Sequence, residues 1–127
     1  MTVKTEGKHR GHFLVSESNG HRSRAVVTIA QGEVLSAGAV IALNSSTGKY
    51  EGYDNDGTTT TNAARAVLYD NVDATSADVD AVAIVRDAEV NGEEIVFANS
   101  EDTGDKEAAY ADLATHGIIV RFEERVS

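Results

Sequence analysis

Four histidines are the first residues to weigh as chemistry. His9 and His12 stand three apart with His21 close behind, and imidazoles so spaced are raw material for a zinc site. Zinc requires three or four convergent ligands, each held by an oriented partner. The His9/His12 pair lies instead in a polar stretch bounded by Gly7 and Gly11, with no periodic element to fix the rings. His116 falls at the end of a helical pattern, where a cation favours the helix dipole. No metal site is expected.

The remaining motifs fail on spacing. With Gly57 as the sixth residue of a calcium loop, Asp54-Asn55-Asp56-Gly57 puts Gly52 at the first position and Ala63 at the twelfth, where carboxylates belong. Thr47-Gly48-Lys49-Tyr50 imitates a phosphate-binding loop, but Leu43 replaces its first glycine and Tyr50 its magnesium-binding hydroxyl. No Gly-x-Ser-x-Gly elbow is present. Ser16, Ser18 and Ser23 near His21 flank Asn19-Gly20, which is turn chemistry. The pairs Glu93-Glu94, Glu101-Asp102 and Glu123-Glu124 read as solvated faces. A two-carboxylate hydrolase wants isolated acids in an apolar cleft with stacking aromatics, and the chain has four Tyr, three Phe and no Trp. With no cysteine, thiolate chemistry and disulfides are absent as well. The expectation is a non-enzymatic protein with no catalytic residue and no cofactor.

The elements that would position any site are short. His12-Phe13-Leu14-Val15 and Ala25-Val26-Val27-Thr28-Ile29 are β-type runs around Asn19-Gly20, which predicts a hairpin-like connection. Val34-Leu35, Ala39-Val40-Ile41-Ala42-Leu43 and Lys49-Tyr50-Glu51-Gly52-Tyr53 follow as strands, with a turn at residues 45–48. Residues 63–69 and 79–85 are Val- and Ala-rich and expected to be buried on both faces. Val90-Asn91-Gly92-Glu93 reads as a turn leading into Ile95-Val96-Phe97. One helix stands out: Asp105 as its cap, Ala109, Tyr110, Leu113 and Ala114 as its apolar stripe, His116-Gly117 as its end. Ile118-Ile119-Val120-Arg121-Phe122 is a last strand. The fold class is mainly β with one helix, a small barrel of short strands. A length of 127 residues suits one domain, here residues 12–127, preceded by a mobile arm at residues 1–11.

Charge divides the chain. Residues 1–24 carry Lys4, Lys8, Arg10, Arg22 and Arg24 against Glu6 and Glu17, a net +3, while the remainder carries six Lys/Arg against nineteen acids, a net -13. An acidic body repels phosphate backbones, so nucleic acid is not an expected partner. The first residues hold no apolar run of the signal-peptide kind, and no segment approaches the roughly 20 apolar residues of a membrane span. A soluble protein made in the cytosol with no membrane partner is expected.

The order of weak motifs resembles the lambda-type head decoration proteins of tailed bacteriophages. It runs through Phe13-Leu14-Val15-Ser16-Glu17, Arg22-Ser23-Arg24, Val27-Thr28-Ile29-Ala30-Gln31-Gly32 and Leu35-Ser36-Ala37-Gly38-Ala39-Val40. It continues through Lys49-Tyr50, Ala66-Val67-Leu68, Ala83-Ile84-Val85-Arg86-Asp87-Ala88-Glu89-Val90 and His116-Gly117-Ile118-Ile119-Val120-Arg121. The resemblance implies a β-clip-like, trimer-forming domain on the virion exterior. Its homotrimers would bind the major capsid protein at three-fold and quasi-three-fold positions of the expanded head and stabilise it against packaged DNA. It also implies an N-terminal segment that orders against the capsid, in part by pairing with a capsid strand. The capsid-binding residues are then Val3, Lys4, Lys8, His9, Arg10, His12, Phe13, Arg22 and Arg24. A phage tail or baseplate accessory domain, or a surface adhesin domain, is the alternative built from the same short strands.

Overall fold

Runs of Val, Ile and Ala closed by Gly, Asn or Asp favour short strands over long ribbons. The computed structural model describes residues 13–17, 23–54, 60–99 and 103–122. Along them lie β1 (Leu14–Glu17), β2 (Arg24–Ile29), β3 (Val34–Leu35), β4 (Val40–Asn44), β5 (Lys49–Gly52) and a 3-10 turn (Thr60–Asn62). β6 (Ala66–Leu68), β7 (Val72–Asp73), β8 (Val79–Ile84), β9 (Ala88–Asn91), α1 (Thr103–Thr115) and β10 (Ile118–Arg121) complete the order.

Five strands close into a barrel in the order β2-β5-β4-β6-β8. Its interior is filled by Ile29, Ile41 and Leu68 with Ala39, Ala66 and Ala83. Alternating large and small side chains suit the narrow bore of so small a barrel. The β3–β7 ribbon closes one part of it through Leu35 and Val72. A second core lies outside the barrel wall, where Val40, Ala42, Val67 and Ile84 meet Phe13, Tyr53, Val90, Leu113 and Ile118. A three-stranded sheet, β1-β9-β10, and α1 cover that core. β4 and β6 therefore divide two apolar compartments, which is why both read as unbroken apolar runs.

Several expectations hold and several are corrected. The β4–β5 hairpin forms at residues 45–48, with Ser46 N donating to Asn44 Oδ1 at 3.0 Å and Gly48 N to Asn44 O at 2.8 Å. β6 is buried on both faces, but β8 is not: Asp80 and Val82 face outward, and only Ala83 and Ile84 are buried. β1 and β2 make no hairpin. β1 pairs antiparallel with β9, and β2 with β8 along all six of its residues. Asn19-Gly20 lies outside the described residues.

Val90 and Asn91, expected to open a turn at residues 90–93, instead belong to β9, the central strand of the outer sheet. β10 adds to that strand in parallel. Residues 95–97 make only an isolated bridge, Ala39↔Val96. The helix starts at Thr103, so Asp105 sits inside its first turn, where a carboxylate still favours the dipole. Ala109 and Leu113 are buried and Tyr110 half-buried, whereas Ala114 faces solvent. Gly117 ends the helical segment with φ 80°.

Candidate functional site

Phe13 is the first of the described residues and is held in the core. Its ring is 1% exposed and packs in the outer core. The fit depends on Gly38, whose φ is 89°: a Cβ there would stand 3.4 Å from the Phe13 ring and 2.9 Å from the Glu94 carbonyl. Phe13 O accepts a hydrogen bond from Asn91 N at 2.8 Å. The ring thus anchors the residues that follow an N-terminal segment and is not itself a surface. Among the other residues expected to contact a capsid, Val3, Lys4, Lys8, His9, Arg10, His12 and Arg22 lie outside the described residues.

Arg24, the remaining one, is held in an ion pair. Its guanidinium bonds both carboxylate oxygens of Glu17, with Nε 3.1 Å from Oε2. It also lies over the Tyr69 ring at 4.2 Å. The hydroxyl of Ser23, fully buried, donates to the same Glu17 carboxylate. The Arg24 hydrogen bond is the main cause that holds the Glu17 carboxyl below its ordinary range, with Ser23 helping and burial opposing. Pairing with Glu17 likewise raises Arg24. The charge cluster legible in the sequence therefore works, at this residue, as a clasp that ties the end of β1 to the start of β2 across residues 18–22.

The surface that sequence reading missed is the outer face of the three-stranded sheet. Val15 (56% exposed) and Ile119 (40%) are large apolar side chains left in solvent there, while Phe122 (53%), just past the end of β10, is exposed on the side toward α1. Ile119 and Arg121 share one side of β10 by strand alternation. Glu89 on the central strand accepts from Ser16 Oγ at 2.6 Å and from Arg121, so a polar row crosses all three strands. An open cavity of about 340 Å³ lies between Val15, Asn91, Arg121 and Phe122. Phe122 covers Gly92, where a Cβ would collide with its ring, and meets Tyr110 edge-on at 5.4 Å. Tyr110, Phe97 and Tyr53 continue that aromatic row into the core. The register shift in β1 between Leu14 and Ser16, at Val15, was the local irregularity that alternation could not foretell. Apolar residues with a polar rim are what protein-contact surfaces present.

Among the described residues no three His, Asp or Glu side chains group as metal ligands, and no helix is long and apolar enough to cross a membrane. The family model for bacteriophage lambda head decoration protein D matches residues 3–118. The chain belongs to that family. No curated protein matches the sequence. The match covers the buried Phe13 anchor, the Glu17–Arg24 clasp, the barrel and the helix. Membership supports a role in phage capsid decoration and a place on the capsid exterior, and the family is structural.

Proposed function

We propose that this protein binds the outer surface of the expanded phage head as homotrimers at three-fold and quasi-three-fold positions, where it cements the shell against packaged DNA without performing catalysis. The family match over residues 3–118 carries this reading. Its partner is the major capsid protein. Residues 1–11 serve as an arm and residues 12–127 as one body, with the buried Phe13 ring fixing the point from which the arm leaves.

Val3, Lys4, Lys8, His9, Arg10 and His12, with Arg22 nearby in sequence, supply cation-rich contacts to acidic capsid patches, while Arg24, paired with Glu17, steadies the chain beside them. A segment that adds a strand to a partner gains affinity from main-chain hydrogen bonds and register from its side chains. Ordering it costs entropy, and three arms on one trimer offset that cost through effective concentration. The outer sheet face at Val15 and Ile119, with Phe122 at the end of β10, supplies the apolar part of the contact.

Cosedimentation with expanded, undecorated heads of the parent phage tests the proposal. Full-length protein should bind saturably in multiples of three per site, and removal of residues 1–12 should weaken binding. Binding that survives the truncation would keep the role and remove the arm from it. Absence of binding to expanded heads would overturn the proposal.

A further inference from the structure

Among the described residues, β2 is satisfied along one edge and open along most of the other. Val85 N donates to Ser23 O at 2.8 Å, so the backbone groups of Ser23, and by alternation those of Ala25, Val27 and Ile29, turn toward β8. Opposite Val26, the carbonyl of Val82 is taken by Tyr69 N at 3.0 Å on its other side, which agrees with that phase. The N–H and C=O of Val26, the C=O of Arg24 and the N–H of Thr28 therefore point to the opposite edge. β5 meets that edge at a single position, Ile29↔Tyr50, with Ala30 N donating to Tyr50 O at 2.9 Å. The reason is local: β5 begins only at Lys49, and the turn at residues 45–48 carries the chain away from the rest of β2. Among the described residues no strand continues the ladder toward Arg24.

That edge borders a groove of about 700 Å³, between β2 and residues 85–87 and 115–117. Its chemistry differs from that of the molecule around it. Arg65 and Arg86 are exposed at the groove and His116 is half-buried beside them, while Asp87 is the one acid among its described lining residues. The chain as a whole carries a net charge of -10. Val26 is 69% exposed beside the edge. A strand edge offers main-chain hydrogen bonds to an extended chain, and flanking cations select acidic side chains on it. Nucleic acid fits less well, because one short cationic strip on a strongly acidic body gives no phosphate track.

We infer that the β2 edge between Arg24 and Thr28 is a strand-accepting site for an extended, acid-bearing segment of a partner protein, recognised by Arg65 and Arg86. The site is separate from the outer sheet face and does not depend on capsid binding.

The test uses the full chain and a fluorescein-labelled peptide of alternating Val and Glu, with a Val/Lys peptide and a thymidine oligonucleotide as comparators. Saturable anisotropy with the Glu peptide is expected, weakening at least tenfold in Arg65→Glu/Arg86→Glu. Amide signals of Val26 and Thr28 should shift on titration and their solvent exchange should slow. Val26→Pro removes a single outward N–H at a strand edge, where proline is tolerated, and should also weaken binding at least tenfold. Should that variant fail to fold, the charge-reversal pair and the amide shifts carry the test alone. No binding, equal binding of the Lys peptide, preference for the oligonucleotide, or shifts confined to residues outside β2 would each overturn the inference.

Discussion

The two cores of this molecule are built on different terms. The buried residues of the barrel interior are aliphatic, with the half-buried Tyr50 ring packed against them, and come from strands close in sequence or paired along much of their length. The outer core holds the two buried rings, Phe13 and Tyr53, and draws on segments from both ends of the described chain, including Leu113 and Ile118. Its sheet joins β1 to β9 and β9 to β10. A cohesive barrel thus carries a second layer that joins the two ends of the described residues and presents the exposed apolar face. Contacts between distant segments must repay more loop-closure entropy, so the outer layer is the part expected to open first.

Truncations in the two cores test that difference and should have the largest effects. Ile41→Ala in the barrel and Leu113→Ala in the outer core each remove a fully buried side chain and should each cost about 2–5 kcal/mol in urea unfolding. Their patterns should diverge. Ile41→Ala should lower hydrogen-exchange protection throughout, while Leu113→Ala should lower it first in α1, β9 and β10. Equal loss everywhere in both variants would mean a single cooperative unit and break the comparison.

Gly38→Ala should come next, at about 1–3 kcal/mol, because it combines a positive φ with a close approach. The new methyl would stand 2.9 Å from the Glu94 carbonyl. The effect should appear as lost protection at Phe13 and Asn91, which meet through a hydrogen bond. Arg24→Ala should cost less, about 1–2 kcal/mol, since the clasp is partly open to solvent. An NMR titration of Glu17 in that variant should show its carboxyl moving up toward its ordinary value, the main cause of its depression having been removed. An unchanged Glu17 titration would mean that Ser23 holds the carboxylate without Arg24.

The same division explains what was legible in the sequence. β2, β4 and β6 were readable because their apolar runs keep one pattern from end to end, and α1 because Ala109 and Leu113 repeat at helical spacing. The outer sheet was not, since alternation specifies which face a residue takes but not which strand pairs with it. β9 has only Ala88 and Val90 as buried residues, and Asn91-Gly92 after it carries a turn signature. It is a strand because β1 and β10 both pair with it. Asn19-Gly20 suggested a hairpin, whereas β1 and β2 are joined by side chains, a bond across seven residues that periodicity cannot express. At the candidate site the basic character was legible, but the commitment of Arg24 to Glu17 and the exposure of Val15, Ile119 and Phe122 required the fold.

The smallest expected effect separates by pH two titrating groups near β2, His116 and Glu17. Burial, aided by Arg65, lowers the His116 pKa below its ordinary 6.5, with Asp112 opposing. The unfolded chain then takes up its proton first as the solution is acidified. The His116 contribution to stability is present above pH 6.5 and is lost as pH falls through the depressed folded value. Glu17 acts in a lower window: its folded pKa lies below 4.5, so its contribution is present above pH 4.5 and disappears on further acidification. Unfolding free energy measured from pH 7 downward should therefore fall in two steps. His116→Gln should remove the upper step, and Glu17→Gln should shrink the lower one, to which Asp73 and Asp78, held below their ordinary range by Thr75 and Lys49, also contribute. A His116→Gln variant that keeps the upper step would assign it to a group other than this histidine. Because His116 also borders the β2 groove, the same variant should leave the Val26 amide exchange of the unliganded protein unchanged, which separates the stability effect from the state of the open strand edge.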